Sequence, residues 1–540
     1  MSQEENLYYL WQEMIQNKKI KLAILTLLPG LLFWLAWPPR DFFFLSFLAF
    51  VPLLTLEKET NGMKRSGWLI YASLLFWNIV VSWWVGYADF YSSLFMLAAN
   101  SWLMYLPWWG YRKARKIFGD NKAMWVLASL WISFEYLHLT WEITWPWFTL
   151  GNIFAKHNAV VQWYEVTGTL GGSVWVLAAN ISFYLALQKE KWTKWIKPSL
   201  VVFTPMLISI PFYFASDLDY SLDANKRFDQ PEALLVQPNI DPYLKFIPGE
   251  EVKNLNVMLS MVEKAITPKT SYVILPETAV VEYVDEDNPT RFQSIDILQN
   301  FTKKHPQIHL ITGISTHNWY EPGEKMQATA RESGGQFYES YNTAMEVDSA
   351  GKLDFYHKSK LVPGAERMPY PTLFQFLNGL ALDLGGITGS LGVDPEPKAF
   401  KAGTKPDIAP LICYESVFPG FVAGFTRKGA EILVVITNDG WWRNTDGYKQ
   451  HMYYACLRAI ENRREVLRSA NTGISCRIDK LGRIQENTEW WEPAVLSVQA
   501  NPFSDLTFFA RHGDYIGRFG SFIGLFFLLG MFVKTHTKKV

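Results

Sequence analysis

The run IKLAILTLLPGLLFWLAW at 20–37 holds a single charge, Lys21, and is about as long as the ~20 residues a helix needs to cross the hydrocarbon core of a bilayer. Comparable runs occupy 42–56, 67–87, 91–110, 123–139, 169–187 and 198–215, and YIGRFGSFIGLFFLLGMFV follows at 515–533. Pro29, Pro107 and Pro205 interrupt three of them, which a bundle tolerates where neighbouring helices satisfy the freed carbonyls. Seven runs within 215 residues and an eighth near the end predict a polytopic α-helical membrane bundle of about eight transmembrane helices.

The basic residues orient that bundle. Lys18, Lys19 and Lys21 precede the first run, and Lys58, Lys64 and Arg65 follow the second. Arg112, Lys113, Arg115, Lys116 and Lys122 follow the fourth, Lys189, Lys191, Lys194 and Lys197 the sixth, and Lys534, Lys538 and Lys539 the last. The alternate loops hold only Arg40 and Lys156. Both termini are therefore expected in the cytoplasm and the long segment between runs seven and eight outside it. No cleavable signal peptide is expected, because the first run lacks a small-residue cleavage site and leads into further spans.

The whole-chain figures agree once they are split. A 540-residue chain exceeds the about 250–300 residues at which single cores stop growing. The expected units are a membrane domain at 1–215, a catalytic domain at 216–514, and a closing helix with a short tail at 515–540. Balanced charge, 51 Lys+Arg against 51 Asp+Glu, argues against a nucleic-acid binder. Three cysteines, Cys413, Cys456 and Cys476, are too few for a disulfide framework and lack metal-ligand spacing. Neither a metal nor a cofactor is called for.

Segment 216–514 reads as α/β. ALLVQPNI (233–240), SYVILPE (271–277), HLITGIS (309–315), PLICYE (410–415) and EILVVITND (431–439) suit buried strands, alternating with helical patterns at 249–266, 291–304 and 447–464. Long polar stretches at 318–339 and 377–408 are candidate lids.

Three residues stand near the carboxyl ends of predicted strands, where open α/β sheets place their sites. Glu277 ends VILPE, Cys413 sits in LICYE, and Lys358 follows the strand-like YNTAMEVD. A thiol needs a base to become a nucleophile, and the oxyanion it creates needs a cation or N–H donor. Each residue also has a plain reading: Cys413 as a small buried hydrophobe, Lys358 as a surface lysine with Lys360 competing for its role, Glu277 as a turn cap. Spacing alone leaves these open. His451 reads as structural, with proton carriage as the alternative. Arg458, Glu461, Arg463 and Arg464 read as a helix face that pairs internally or braces the site. Glu135 is the main charge within the spans and reads as a bundle-facing contact.

The motifs PET (276–278), YHKSKLVPGAE (356–366), ICYE (412–415) and NDGWW (438–442) together resemble the nitrilase superfamily. With the eight apolar runs, the whole chain resembles the bacterial apolipoprotein N-acyltransferases, membrane-embedded members of that superfamily. The resemblance implies an extracytoplasmic α-β-β-α sandwich with Glu277 as base, Lys358 as oxyanion cation and Cys413 as nucleophile. By motif it adds Glu366, eight residues after Lys358, and Tyr414 and Glu415 beside the nucleophile. Trp441 matches an aromatic of the NDxW segment and is expected to touch substrate. Trp145 and Trp147, in WPWFTLGN, read as an interfacial aromatic belt or as lining of the substrate entrance. The departure is Gly364-Ala365, where the family usually has Phe-Gly.

The implied activity is transfer of an acyl chain from a phospholipid to the amino group of a lipoprotein's diacylglyceryl-cysteine in the bacterial inner membrane. The expected partners are phospholipid, diacylated apolipoprotein and the bilayer, with the chain itself a monomer. The alternatives are a membrane-anchored amidase using the same triad with water, and a non-catalytic lipoprotein-binding or transport protein.

Overall fold

The computed structural model describes residues 17–60, 63, 65–226, 230–247, 249–370 and 390–537. Residues 377–389 of the second candidate lid, and Lys64, Lys538 and Lys539, lie outside the described residues. Among the described residues five helices are long and apolar enough to cross a membrane: Lys18–Ala36, Ser66–Tyr87, Thr169–Leu187, Trp192–Leu218 and Tyr515–Thr537. Phe90–Phe118 and Asp120–Thr140 have the length but are more polar. Asp89 starts the first of these by accepting from the Ser92 N–H at 2.6 Å, and Gly119, at φ +80°, separates the two.

The expected run 42–56 is not one helix. It is a 3-10 turn, Phe43–Phe47, followed by the helix Val51–Glu59, with Pro52 in its first turn. Nine residues rise about 14 Å, less than half a bilayer core. The two pieces together nonetheless run from one end of the bundle to the other. Arg40 pairs with Asp446 of the α/β domain at 2.8 Å, whereas Glu59 pairs with Lys21 at 2.8 Å and Glu57 with Arg112 at 3.0 Å. The bundle thus has a basic end and an end docked on the α/β domain.

Two sheets form that domain. The larger joins β1 (Glu232–Gln237), β2 (Thr270–Ile274), β3 (Val280–Asp285), β4 (His309–Trp319), β5 (Arg331–Ser333), β6 (Gln336–Val347), β7 (Leu353–His357) and β13 (Ala494–Gln499). The smaller runs β12 (Ile484–Asn487), β11 (Cys476–Ile478), β10 (Val466–Ala470), β9 (Ile432–Thr437), β8 (Ile408–Ile412). Period-two alternation sorts the strand residues. Leu234 and Val236 face the helices Glu251–Ala265 and Gln293–Lys304, while Ala233 and Leu235 face the second sheet. The helices Pro419–Arg427 and Asp446–Asn462 cover the outer face of the second sheet, so the order of layers is α-β-β-α, as expected. The ends of stretch 318–339 belong to the β4–β6 hairpin and β5 pairs with β6 from Arg331 to Ser333, while residues 320–330 between them are turns and irregular chain. One hydrophobic core runs through both halves of the molecule, since Tyr414, Val417, Phe418, Tyr454, Leu457 and Ile460 pack with the aromatics of the bundle.

Candidate active site

The parallel strands β2, β8 and β9 deliver Glu277, Cys413 and Asp439 to one edge of the two sheets. Glu277 lies two residues past Leu275, in a turn where Thr278 adopts φ +47°. Gly313 of β4 makes room for this turn, because a Cβ there would come within 2.3 Å of the Thr278 nitrogen. Lys358 follows β7 directly. Its ammonium reaches Glu277 Oε1 at 3.1 Å and Glu366 Oε1 at 2.7 Å and is almost fully buried. Burial opposes charge on Lys358, but the Glu277 and Glu366 carboxylates outweigh it and hold the group well above the ordinary lysine range. The turn at Gly364, with φ +80°, closes the eight-residue loop that brings Glu366 back onto Lys358, so Gly364-Ala365 preserves the geometry that the spacing implied.

Cys413 begins the 3-10 turn Cys413–Val417 with φ +49°, a left-handed conformation that only a tightly held non-glycine residue keeps. Two groups hold its carbonyl. Ser416 Oγ donates to the Cys413 carbonyl at 2.8 Å, and His451 Nε2 lies 3.1 Å from the same oxygen. His451 Nδ1 lies 3.0 Å from Asp439 Oδ1, and Arg468 bonds the other oxygen of that carboxylate. Burial pushes the Asp439 carboxyl up, but Arg468 and His451 prevail and bring it to about 2. His451 therefore meets Cys413 at its backbone carbonyl. Burial and the Glu277 carboxylate push the Cys413 thiol well above its ordinary value, against the pull of Lys358. A thiol so placed rests protonated.

The neighbours of Cys413 are clasps. Glu415, fully buried, accepts from Tyr356 Oη at 2.6 Å, Ser359 N at 2.7 Å and Ile412 N at 2.8 Å, tying the Cys413 turn to the segment that carries Lys358. Burial raises its carboxyl to about 7. Tyr414 donates to the carbonyl of Thr144 at 3.1 Å, which fastens the same turn to the membrane bundle. Arg458, ion-paired with Glu461 at 2.6 Å, donates to the Val417 carbonyl at 3.0 Å.

The remaining expected positions are distributed differently. Trp441 is half-buried and stands edge-on to Tyr243 with centroids 5.3 Å apart. Trp147 is buried beside His451, its indole donating to Gln450 Oε1 at 2.6 Å, and Trp145 stacks on it at 5.7 Å. Lys360 does not enter the carboxylate cluster; its ammonium lies over the Phe418 and Phe421 rings at 5.4 and 5.5 Å. Cys456 and Cys476 are buried and free. Glu135 accepts from Trp131 Nε1 and Leu150 N inside the bundle, as its sequence context implied.

Comparison with known proteins gives these contacts a family. Residues 235–502 match the carbon-nitrogen hydrolase model and residues 29–182 the apolipoprotein N-acyltransferase N-terminal domain model. An apolipoprotein N-acyltransferase of Chlorobaculum tepidum is 30% identical over 509 residues, covering 92% of this chain and 94% of its own. The chain belongs to the apolipoprotein N-acyltransferase family. A second member, from Geobacter metallireducens, is 26% identical over 91% of each chain. Among solved structures, Saccharomyces cerevisiae Nit3, a member of the nitrilase superfamily, aligns with TM-score 0.38 and 19% identity over 51% of this chain and 91% of its own.

Two residues at the heart of this family member's site were not singled out by its sequence. Asn342 of β6 donates to Glu277 Oε1 at 2.9 Å and to Glu366 Oε1 at 3.1 Å. Its signal was a lone amide inside an otherwise strand-like YNTAMEVD. Lys245 is buried, and its amine bonds the Glu277 carbonyl and Thr278 Oγ1, both at 2.7 Å. Burial brings it to about 7, with the Glu277 carboxylate resisting. Nothing in LKF at 244–246 distinguishes it from a solvated lysine.

Proposed function

We propose that the chain moves a fatty acyl group from a membrane phospholipid, through a thioester on Cys413, to the α-amino group of the N-terminal diacylglyceryl-cysteine of apolipoproteins. The observation that carries this reading is Lys358, sealed between the Glu277 and Glu366 carboxylates and joined through the clasp on Cys413's turn to an apolar bundle. In the first half-reaction Glu277 takes the Cys413 proton and the sulfur attacks the ester carbonyl. Lys358 and the Tyr414 backbone N–H face the developing oxyanion. The ester C–O bond breaks, Glu277 returns the proton to the departing alkoxide, and a lysophospholipid leaves. In the second, Glu277 takes a proton from the acceptor amine, nitrogen displaces sulfur, and the proton passes to the thiolate. Two substrates using one site in turn give ping-pong kinetics. Glu366 and Asn342 fix Lys358 and Glu277, Glu415 and Tyr414 fix the nucleophile's turn, and Trp441 and Trp145 are placed to meet substrate.

The same reading puts residues 1–215 in the bacterial inner membrane as seven spans, the second of them broken. Residues 216–514 then form the periplasmic domain, and 515–540 the returning span with a cytoplasmic tail. It is supported by the basic loops and by the ion pairs that gather at the end of the bundle opposite the α/β domain. Both substrates are anchored by acyl chains whose withdrawal into water costs roughly 0.8 kcal/mol per CH₂, which is why the site sits on a bundle.

The test is mass spectrometry of the purified protein in detergent with a phospholipid and a diacylglyceryl peptide. An acyl adduct on Cys413 that is chased by the peptide is expected, and Cys413→Ala should carry none. Peptide acylation by Cys413→Ala would remove Cys413 from the role.

A further inference from the structure

A cavity of about 220 Å³ lies on the face of β4 and β6 that carries the carboxylate cluster, walled in part by Phe246, Ser315, Arg331, Tyr338, Ser340 and Leu391. It touches the site at three points. Ser315 is the cross-strand partner of Asn342, whose amide holds Glu277 and Glu366. Leu391 donates its N–H to the Glu366 carbonyl at 2.9 Å. Phe246 follows Lys245, which holds the Glu277 carbonyl. Directly opposed residues of an antiparallel pair stand about 4.5–5.5 Å apart, so the cavity begins one side chain away from the base.

Its chemistry is unlike the acyl-binding walls a lipid chain needs. Arg331 is the single cation among the described lining residues, and none of them is a carboxylate. Arg331 is paired across the strands with Tyr338. Among the described residues no ion pair holds its guanidinium, which reaches only the Ser390 carbonyl at 3.4 Å. Around it stand the hydroxyls of Ser315, Ser340 and Tyr338. A half-buried guanidinium with hydroxyl donors beside it matches the two free oxygens of a phosphodiester, which a planar fork binds in parallel.

Resting on the acyl-transfer reading above, we propose that this cavity is the subsite for the phosphodiester headgroup of the acyl donor, with Arg331 as its anion ligand. The non-reacting end of the donor is then gripped while its ester lies over Cys413, so that binding energy distant from the reacting atoms orients the bond to be broken. The acceptor's diacylglyceryl-cysteine carries no phosphate, so Arg331 serves only the first half-reaction.

The full chain in detergent, given phosphatidylglycerol or phosphate-free p-nitrophenyl palmitate, separates these statements by the rate of thioester formation on Cys413. Arg331→Gln should lower the ratio of the two rates, phospholipid over nitrophenyl ester, by about 10- to 100-fold, the worth of a charge-assisted hydrogen bond. Arg331→Lys should recover part of it. Equal loss with both donors would make Arg331 a structural residue and overturn the proposal. Inorganic phosphate competing with phosphatidylglycerol as well as lysophosphatidylglycerol does would show a free-anion site and also overturn it. If the unaltered chain forms no thioester with either donor, the nucleophile assignment beneath the proposal fails instead.

Discussion

Replacing Lys245 by Met should separate stability from activity. The amine is buried against Glu277 O and Thr278 Oγ1, and its pKa falls from the ordinary 10.5 to about 7. Between these values the unfolded chain binds more protons than the folded one, so the folded state gains stability as pH rises from 7 toward 10.5. Two-state linkage with those endpoints puts the cost of burying Lys245 at about 4 kcal/mol at pH 7 and about 2 kcal/mol at pH 9. Methionine removes both the cost and its pH dependence. It also leaves the Glu277 carbonyl without its partner, at about 1–3 kcal/mol, and frees the strained turn that positions the Glu277 carboxylate. Base misplacement of this kind costs about 10- to 100-fold in turnover. Thermal unfolding in detergent at pH 7 and pH 9, beside the rate of Cys413 acylation, reads both effects. Across that interval the wild-type chain should gain about 2 kcal/mol relative to Lys245→Met, and the variant should acylate far more slowly. A variant that keeps the wild-type pH slope and acylates at the wild-type rate would refute the reasoning.

Lys358→Ala should stop turnover, whereas Lys360→Ala, which loses only a cation–π contact, should cost less than about tenfold; the reverse pattern in an acyltransfer assay would exchange the two lysines. Gly313→Ala places a methyl against the Thr278 nitrogen and should cost about 1–3 kcal/mol of stability along with activity, seen as a lower Tm and slower thioester formation. His451→Asn should slow acylation by unpinning the Cys413 carbonyl while leaving the bundle folded, and an unchanged rate would reduce His451 to packing. Tyr356→Phe removes a donor from Glu415, whose carboxyl burial already raises to about 7. That raised value means stability is lost as pH climbs from about 4.5 through 7, so the variant's Tm should fall more steeply across that range than the wild type's.

Five of the eight apolar runs coincide with helices long and apolar enough to cross a membrane, legible because a bilayer demands one length and one polarity of a crossing, whereas 42–56, read as one of the eight, is broken because hydropathy does not register where the chain bends. The strand–motif pairs placed Glu277, Lys358 and Cys413 correctly at strand ends. What spacing could not supply was the third dimension: Asn342 reaches the Glu277 and Glu366 carboxylates, and Lys245 the Glu277 carbonyl and Thr278 hydroxyl, from a strand and a loop remote in sequence, and both side chains look ordinary until the turn at Thr278 folds toward them. The aromatic WPWFTLGN segment shows the opposite limit. Its composition is that of a membrane-surface belt, yet Trp147 donates to Gln450 and lies against the helix that carries His451.

That placement of Trp147 bears on how the molecule fails. Because bundle aromatics and the Cys413 turn share one core, and Tyr414 and Arg458 both fasten the turn to groups of the bundle, neither half has a finished surface of its own. A soluble fragment cut from the membrane part would carry an open apolar socket directly behind Cys413, and its left-handed backbone would relax. Heat or detergent that loosens the helices should therefore silence the thiol before the α/β sandwich itself melts.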